Sequence, residues 1–516
     1  MGLQPDSIAQ AAAFQGRIID SIIIDNRNVY DTAIPRYNNF LFRTANKLRV
    51  RTRLGMIRRE LLFKVGDEYS HELVEETARN LRLRYALYDA WIEAFETDSG
   101  HAVLRVTTID QWSLRGGFRI KRDANVTDYH FGLEELNFLG YNQFVSVYRY
   151  VPGNRDSYWS TAFRDSRLMG APVRLDLAYT NNPLDDRRSI GVSRPFYNLS
   201  QRFSTFATVG STKGRRDQYR DTVRIAESGY SGQKVDFGAE YRFGRYDEKI
   251  GLGGSYRYVY ESNSNPVILS PVDSGRVTTS RDSVYHELGL SVSFVHPVFI
   301  TALRINGFDY TEDFTLGADI TLGYARALRP GFDQAVYDRY SFQSSFGFRR
   351  GASIVQLGYS PMFWVANGID VRRTSTVSLR FYNNRISFLT FAFRCLYRSD
   401  WRRDGAMALV VDGENGLRGH DRFADTGDRA TVVNFEARFF PGIDIMSAMV
   451  GGVLFADIAR AWEPKEVWKL KGWHSAAGAG LRIAFKNITK TDLIRIDVIK
   501  PDEGPAELGF GTGQYF

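Results

Sequence analysis

Apolar and polar residues alternate along most of this chain with a period of two, which is typical of β-strands that have one apolar and one polar face. The alternation begins after Trp112 and continues for about 400 residues. Clear examples, in which apolar residues occupy every second position, lie at 237–243, 288–294, 316–324 and 389–397. The pattern predicts an all-β region over 111–516.

A soluble β-sandwich and a transmembrane β-barrel both produce this alternation. A sandwich must bury all its apolar faces in one core and does not explain aromatic residues near strand ends, whereas a membrane barrel places aromatic girdles there. Polar segments such as 261–282 and 400–404 fit loops outside a bilayer. A closed barrel also leaves no unpaired strand edge in lipid. We therefore predict a membrane all-β barrel, and the chain has no run of about eighteen apolar residues that would predict a membrane helix.

The first 110 residues follow a different pattern. A β-branched run at 17–25 predicts a strand, the apolar spacing at 57–63 and 71–81 predicts two helices, and 88–97 and 101–108 predict a hairpin. This order predicts a small α+β domain at 16–110, preceded by a flexible segment at 1–15 and interrupted by an insert at 26–51. The change of period at Trp112 predicts two units with separate cores.

This N-terminal region resembles a POTRA domain, the periplasmic module that precedes outer-membrane assembly barrels. The most recognisable part is the segment Arg-Glu-Leu-Leu-Phe-Lys-Val-Gly-Asp at 59–67, and the insert is the main departure. The resemblance implies a periplasmic location for the domain.

Composition and charge narrow the classes of function. The 516 residues include 36 Phe, 28 Tyr and 46 Gly, yet the mean hydropathy is −0.31, as expected for strands with one polar face. The net charge of +8 is spread along the chain without a basic block, so we expect no nucleic-acid partner but some attraction to anionic lipids. A single cysteine, Cys395, excludes an internal disulfide or a cysteine metal cluster. Residues 1–5 lack secretory-signal features, so an outer-membrane location requires a signal removed before residue 1.

One polar loop contains the candidate site, Gly416-Leu417-Arg418-Gly419-His420. Glycines on both sides permit a sharp reversal that would turn Arg418 inward. The alternation at 434–441 and 453–462 points Glu436 and Asp457 to the polar, inner face of their strands. Because a buried charge is costly without a partner, we expect the arginine and the two carboxylates to lie together.

These three segments resemble the C-terminal motif set of the BamA/TamA/two-partner-secretion superfamily: Leu-Arg-Gly-His, Phe-Glu-Ala-Arg-Phe-Phe-Pro and Leu-Phe-Ala-Asp-Ile-Ala-Arg-Ala-Trp. In that family the arginine loop folds into the barrel and pairs with acidic groups on its wall, which the resemblance assigns to Arg418, Glu436 and Asp457. His420 stands where an aromatic residue is usual, and Ala459 where a glycine is common. The resemblance also implies roughly sixteen antiparallel strands.

The seam where the first strand meets the last is the second candidate site. On the last strand, Leu508 and Phe510 are predicted to share one face with the terminal Phe516, which leaves the glycines at the other face. Few side-chain pairs would then hold the seam, so we predict that it opens towards lipid. Alternatively, the glycines only let the sheet curl at closure. The predicted seam residues are Gly116, Gly117, Gly509, Gly511, Gly513 and Phe516.

No enzyme signature is found. The seven histidines show no short metal-ligand spacing, and there is no nucleophile elbow or phosphate loop. We predict a non-enzyme without cofactor or metal that assembles, inserts or translocates β-rich clients in the bacterial outer membrane, by docking at the POTRA sheet edge and the seam. Unfolded outer-membrane or secreted proteins, lipids and accessory lipoproteins are the expected partners. A secretion pore for one exoprotein, a passive channel and a structural scaffold subunit remain alternatives.

Overall fold

The computed structural model describes residues 13–516 apart from positions 124–125, 154–155, 183, 221–222, 270–276, 278–281, 333, 403–408, 422–423, 463–465, 467–470 and 489–492. Residues 1–12, most of the predicted flexible segment, lie outside the described residues. Phe14, within that segment, is buried and packs against Tyr69 with 6.0 Å between ring centroids. The folded N-terminal core therefore begins before the predicted boundary at 16. No helix among the described residues is long and apolar enough to cross a bilayer.

The N-terminal domain is a three-stranded sheet covered by helices. Its elements are strand β1 (Ile19–Arg27), a 3-10 helix (Pro35–Tyr37), helices α1 (Phe40–Leu48), α2 (Leu54–Glu60) and α3 (His71–Arg82), and strands β2 (Leu87–Glu96) and β3 (Ala102–Asp110). β3 lies in the middle, parallel to β1 and antiparallel to β2. Ser70 caps α3 by accepting a hydrogen bond from the Leu73 amide, and Val74 and Leu81 of α3 join the core. These strands and helices follow the order that the sequence predicts.

Two details differ from the sequence-based expectation. Helix α2 ends before the predicted 57–63 helix does, because the Leu62 amide donates to Thr77 Oγ1 at 3.2 Å instead of to the preceding turn. The insert at 26–51 contains α1 and an apolar cluster against which Trp112 and Ile488, from beyond the domain, also pack; its members are Val29, Tyr30, Tyr37 and Phe42. The main core of the domain is made of residues between 14 and 106 alone, whereas this smaller cluster spans the boundary with the rest of the chain.

The rest of the chain forms one large antiparallel sheet. Its strands are β4 (Leu114–Asp123), β5 (Val126–Phe138), β6 (Gln143–Val151), β7 (Tyr158–Asp165), β8 (Arg174–Asn182), β9 (Asp185–Arg194), β10 (Phe203–Arg220), β11 (Val223–Gly244), β12 (Lys249–Asn263), the short β13 (Val267–Ile268), β14 (Ser283–Ala302), β15 (Glu312–Leu328), β16 (Ala335–Arg350), β17 (Ser353–Ala366), β18 (Ile369–Ile386), β19 (Leu389–Arg402), β22 (Arg429–Ile445), β23 (Ala448–Trp462), β24 (His474–Phe485), β25 (Ile494–Pro501) and β26 (Glu507–Thr512). Strands β20 (Leu409–Val411) and β21 (Asp425–Gly427) form a separate hairpin in the loop that contains Arg418.

Consecutive strands of this sheet pair with one another, and the strand order returns β26 to the side of β4. Paired residues are described at every junction between consecutive long strands except the one between β26 and β4.

Twenty long strands occur among the described residues, so the expectation of roughly sixteen is wrong. The reason is the length of the connections. Turns such as the one between Arg350 and Ser353, or between Ile386 and Leu389, take only two residues, which leaves room for more strands than long loops at both ends would allow.

The two faces of the sheet differ as the alternation predicts. On β14, Leu288, Leu290 and Val292 are exposed on the outer face, Leu290 to 71%, whereas Ser293 on the inner face is buried. Further exposed outer residues include Phe237 and Leu454 on distant strands. A belt of exposed apolar side chains thus surrounds a polar interior.

The N-terminal domain sits across one end of the large sheet, called here the domain end; the opposite end is the far end. Arg82 of α3 forms a two-pronged ion pair with Asp313 of β15, at 2.5 and 2.8 Å, and both side chains are nearly buried. Elsewhere around the rim, Arg36 pairs with Asp444 of β22 at 2.7 Å. The domain is therefore fastened to well-separated strands.

Glu60 is a third point of contact between the domain and the large sheet region, and its side chain is fully buried. Its carboxylate accepts hydrogen bonds from Arg84 of the domain at 2.6 Å and from Arg167 of the β7–β8 turn at 3.0 and 3.1 Å, and it also contacts the Tyr197 hydroxyl. Burial alone would raise the pKa of Glu60, but the neighbouring guanidinium groups outweigh burial and lower it. The carboxylate is therefore held ionised between the domain and the sheet.

Candidate functional site

The loop between β20 and β21 turns into the interior of the sheet. Asp412 Oδ1 accepts hydrogen bonds from the Glu414 and Asn415 amides, at 2.9 and 3.0 Å, which begins the reversal. Gly416 (φ 118°) and Gly419 (φ 74°) have backbone angles that favour glycine, and a Cβ at Gly416 would lie 2.6 Å from Val432. The glycines therefore permit both the turn and its close approach to the wall.

Leu417 and Arg418 are the residues that this reversal delivers to the interior. Leu417 is completely buried in an apolar cluster with Val411, Val432 and Ala459. Position 459, where the resembled family commonly has a glycine, is an alanine in this chain. The methyl group of Ala459 contributes to that cluster. The loop is consequently anchored by apolar packing as well as by charge.

Arg418 contacts both carboxylates that the sequence pattern selects. Its Nε and Nη2 donate to Asp457 at 2.6 and 2.8 Å, and its Nη1 donates to Glu436 at 2.9 Å. The Arg418 side chain is 3% exposed and both carboxylates are 0% exposed. Two acidic groups and one guanidinium group, all removed from solvent, thus compensate one another.

Two aromatic rings enclose the guanidinium group of Arg418. The Phe455 ring centroid lies 3.6 Å from Cζ and the Tyr515 ring centroid lies 4.2 Å from it. The Tyr515 hydroxyl also donates to the Gly413 carbonyl at 3.0 Å. These cation–π contacts keep water from the ion pairs and join the end of the chain to the loop.

A second arginine extends the buried cluster towards the domain end. Arg438 donates through Nε to Glu436 at 2.8 Å, through Nη1 to the Ile305 carbonyl at 2.8 Å and through Nη2 to the Phe516 carbonyl at 2.8 Å. Ile305 belongs to the turn between β14 and β15, which approaches the domain through Thr311. Arg418, Glu436, Arg438 and this turn form one continuous buried chain of contacts.

Sequence reasoning missed three members of this cluster. Asn434 Nδ2 donates to Asp457 at 2.6 Å and to the Gly416 carbonyl at 2.8 Å, so it bridges the loop and the wall. Its position on the same strand face as Glu436 was a usable signal. Alternation also placed Phe455 on the face of Asp457 and Tyr515 on the face of the last-strand glycines, but it did not indicate that either ring contacts Arg418.

His420 lies at the far end, and its Nδ1 is 3.1 Å from the Arg418 carbonyl oxygen. Its Nε2 is 2.8 Å from Asp502 Oδ1, and its ring centroid lies 5.6 Å from that of His474. The structure thus gives this residue polar partners where the resemblance implies an aromatic residue.

The predicted seam residues behave differently from one another. Gly509 and Gly511 face inward on β26 as expected, but the Ile499 and Arg495 side chains of β25 lie over them, each 2.7 Å from where a Cβ would stand. The inner face is therefore covered by neighbouring side chains, a role for these glycines that the sequence did not suggest. On β4, Gly116 has open space around it, whereas Gly117 lies under the Tyr148 ring.

The placement of Gly513 and Phe516 on the last strand is wrong. β26 ends at Thr512, and Gly513 has a φ of 74°, at which the chain leaves the sheet. Phe516 packs inside against the apolar cluster that includes Ile305 and Tyr382. The terminal segment turns inward because its polar and aromatic groups find partners there, including Arg438.

Neither a protein-family model nor a curated protein sequence matches the chain. Similar solved structures include CdiB from Acinetobacter baumannii, with 10% identity and a TM-score of 0.44 over 97% of this chain and 73% of that one. BamA from Haemophilus ducreyi lacking POTRA domains 1–3 has 12% identity and a TM-score of 0.36 over 96% and 84%. The siderophore receptor PirA from Pseudomonas aeruginosa has 11% identity and a TM-score of 0.37 over 82% and 80%. The chain thus resembles BamA and CdiB, but a receptor of a different kind matches with a similar score, so this likeness does not separate their functions.

Proposed function

We propose that this protein is a β-barrel of the bacterial outer membrane that inserts or translocates other β-rich proteins. The exposed apolar belt supports the membrane location, because a water-soluble protein rarely exposes apolar patches beyond a few hundred Å². Strands can span a bilayer only when their backbone groups are paired around a closed sheet. We therefore also propose that β26 and β4 pair to close the barrel in its resting state.

The N-terminal domain is proposed to be a POTRA domain on the periplasmic side. Apart from the helices of the insert, its order is strand–helix–helix–strand–strand, and this order and its position across the domain end support the assignment. β1 and β2 are the outer strands of its sheet, and an unfolded β-strand could extend either one by backbone hydrogen bonding. The twenty strands of the sheet depart from the resemblance, so the proposal depends on the domain and the arginine cluster and not on strand number.

The observation that carries the proposed mechanism is the contrast between a filled interior and a short seam. The interior contains the Arg418 loop, the terminal segment and the β14–β15 turn, while the domain covers one end. By contrast, β26 spans 6 residues, whereas β11 spans 22. A client therefore meets the least resistance at the edge of β26, which favours insertion at the seam over passage through the interior.

The alternatives predict different structures. A passive channel needs an open interior, and the buried chain from Arg418 to the β14–β15 turn argues against one. A dedicated secretion pore requires the domain and the loop to move aside together. A scaffold subunit would retain every feature described here without handling clients, and only an experiment separates it from an insertase.

Depletion in the native host, followed by quantitative proteomics of the outer membrane, tests the function. Loss of many β-barrel proteins is expected. Loss of one secreted protein would identify a dedicated secretion pore instead, and an unchanged outer membrane would leave a channel or a scaffold.

Crosslinking tests the seam. In a Cys395→Ser background, Phe510→Cys is combined with Leu114→Cys or Gly116→Cys, and the pair that oxidises more completely is used. Oxidation should stop client insertion and reduction should restore it. The matched control is Val498→Cys with Leu508→Cys, which joins the directly paired strands β25 and β26 and should leave insertion intact. Full activity with a locked seam would remove the seam from the mechanism.

A second crosslink distinguishes insertion of clients at the seam from secretion through the interior. Arg36→Cys with Asp444→Cys, in the same background, would tie the domain to the domain end when joined by a short bis-maleimide, which replaces the reach of the Arg36 side chain. Insertion at the seam should continue, because it does not require the interior to open. If this crosslink stopped client handling and the seam crosslink did not, passage through the interior would be the better explanation.

A further inference from the structure

We propose that His420, His474 and Asp502 form a binding site for a divalent transition-metal ion, with Zn²⁺ as the best match. The three residues come from separate segments at the far end. His420 ends the arginine loop, His474 begins β24, and Asp502 follows β25 in the hairpin that leads to β26. The proposal does not depend on the ion pairs of the Arg418 side chain or on the proposed client handling.

The donor atoms are already close together. His420 Nε2 lies 2.8 Å from Asp502 Oδ1, His474 Nδ1 lies 3.7 Å from Asp502 Oδ2, and one donor atom from each residue lies within 4.8 Å of the others. Zn–N and Zn–O bonds of about 2.0–2.1 Å in a tetrahedron separate ligand atoms by roughly 3.3 Å. Small side-chain movements would therefore bring all three onto one ion.

The hydrogen bonding of His420 favours a cation at this point. Its Nδ1 lies 3.1 Å from the Arg418 carbonyl oxygen, which can only accept, so Nδ1 bears the proton and donates it. In the neutral ring, the lone pair of Nε2 then faces the Asp502 carboxylate at 2.8 Å, and two acceptors repel each other. A metal ion shared by the two atoms removes this repulsion. A ring N–H donated to a backbone carbonyl is also the usual support for a metal-binding histidine.

Two imidazoles and one carboxylate define the class of metal. This set suits Zn²⁺, whereas Ca²⁺ and Mg²⁺ prefer oxygen ligands only. The His474 and Asp502 side chains are 27% and 29% exposed, so an ion can enter from solvent and a water molecule can complete the tetrahedron. The bound ion would clamp the arginine loop to β24 and to the last hairpin.

Metal binding is tested on the full-length protein, purified in detergent without a polyhistidine tag and stripped with a chelator. Addition of Co²⁺ should give the visible absorption of tetrahedral cobalt at one ion per chain, and Zn²⁺ should abolish it by displacement. His474→Ala and Asp502→Asn should each lose this signal. His101→Ala is the matched control, because His101 also lies near a carboxylate, Asp20 at 3.9 Å, but has no place in the cluster.

The clamp itself is tested by proteolysis. Zn²⁺ should slow tryptic cleavage after Lys471, close to His474, in the wild type and in His101→Ala but not in Asp502→Asn. The heat-modifiable shift in gel mobility shows whether each variant has folded. Absence of Co²⁺ binding would overturn the proposal and leave a proton as the cation that His420 and Asp502 share. Co²⁺ binding at the wild-type level in His474→Ala and Asp502→Asn would also overturn it, since the ion would then lie elsewhere.

Discussion

Two arginines of the large sheet region make nearly the same ion pair in different surroundings. Arg418 holds Asp457 through two nitrogens at 2.6 and 2.8 Å, and Arg372 holds Asp400 through two nitrogens at 2.8 and 2.7 Å. The Arg418 side chain is 3% exposed, whereas that of Arg372 is 38% exposed. Distance alone therefore does not distinguish the two pairs.

Their surroundings decide what each pair contributes. Arg418 lies between the Phe455 and Tyr515 rings, whereas Arg372 has the Trp364 ring 5.0 Å from its Cζ and is more than a third exposed. Solvent screens the exposed guanidinium group, and Arg402, whose Nη2 lies 3.2 Å from Asp400 Oδ2, still compensates this carboxylate if Arg372 is lost. A buried charge that loses its partner has no such replacement. We infer that the same contacts are structural at Arg418 and nearly neutral at Arg372.

The largest expected effect comes from Arg418→Ala. Because Asp457 and Glu436 would be left buried and without this partner, the free energy of unfolding should fall by about 3–5 kcal/mol. Arg372→Ala should change it by about 0–1 kcal/mol. Urea titrations of the folded protein in detergent, followed by the heat-modifiable shift in gel mobility, measure both values.

Arg418→Lys refines this measurement. Lysine keeps the charge but cannot hold Asp457 with two nitrogens while it reaches Glu436, so a value between wild type and Arg418→Ala is expected. Equal urea midpoints for Arg418→Ala and Arg372→Ala would show that burial does not distinguish the two sites.

A smaller effect is expected from Tyr515→Ala, which removes one ring from the guanidinium group of Arg418. A desolvated cation–π contact contributes about 2 kcal/mol, and the unfolding free energy should fall by that order. Tyr515→Phe retains the ring and loses only the hydrogen bond to Gly413, so about 1 kcal/mol is expected. The same urea titration applies. If the two variants lost equal stability, the hydroxyl group and not the ring would be the important part of Tyr515.

The smallest effect concerns Glu60, whose buried carboxylate belongs to the N-terminal domain and not to a strand of the large sheet. Because its pKa in the folded protein is lowered, its contribution to domain docking is complete above the pKa of a free glutamate, about 4.3, and is lost as the pH falls below that value. The protection factors of the α2 amides, which correct for the intrinsic pH dependence of exchange, should therefore remain constant from neutral pH to about 4.3 and fall below it. Glu60→Gln should abolish this acid step, and a step that persists in that variant would assign it to another group.

The fold was predictable where a local period determines the structure. The switch of period at Trp112 located the boundary between the domain and the large sheet, and alternation assigned the inner and outer faces of the strands. The number of strands was not predictable in this way, because it depends on two-residue turns that leave little mark on a hydrophobic pattern. The contacts that fasten the domain, such as Arg82 with Asp313, join residues 231 positions apart and have no local signal.

Part of the candidate site was likewise predictable. Glu436 and Asp457 were identified because a charge on an alternating strand must lie on the polar face, and Arg418 because glycines flank it. The inward turn of the terminal segment was not predictable, since Leu508, Phe510 and Phe516 match an uninterrupted strand in sequence. Only the interior partners of Tyr515 and Phe516 reveal why the strand ends at Thr512.

The short final strand has a consequence for the bilayer in the proposed outer-membrane location. Six residues in extended form rise about 20 Å, and less when the strand is tilted, whereas the apolar band of an outer-membrane barrel is about 25 Å tall. Lipid beside β26 would then thin or tilt to keep its acyl chains against Leu508 and Phe510. Because β26 is the shortest of the twenty long strands described, hydrophobic mismatch would be largest where a new strand is proposed to enter, and the membrane there would be deformed before a client arrives.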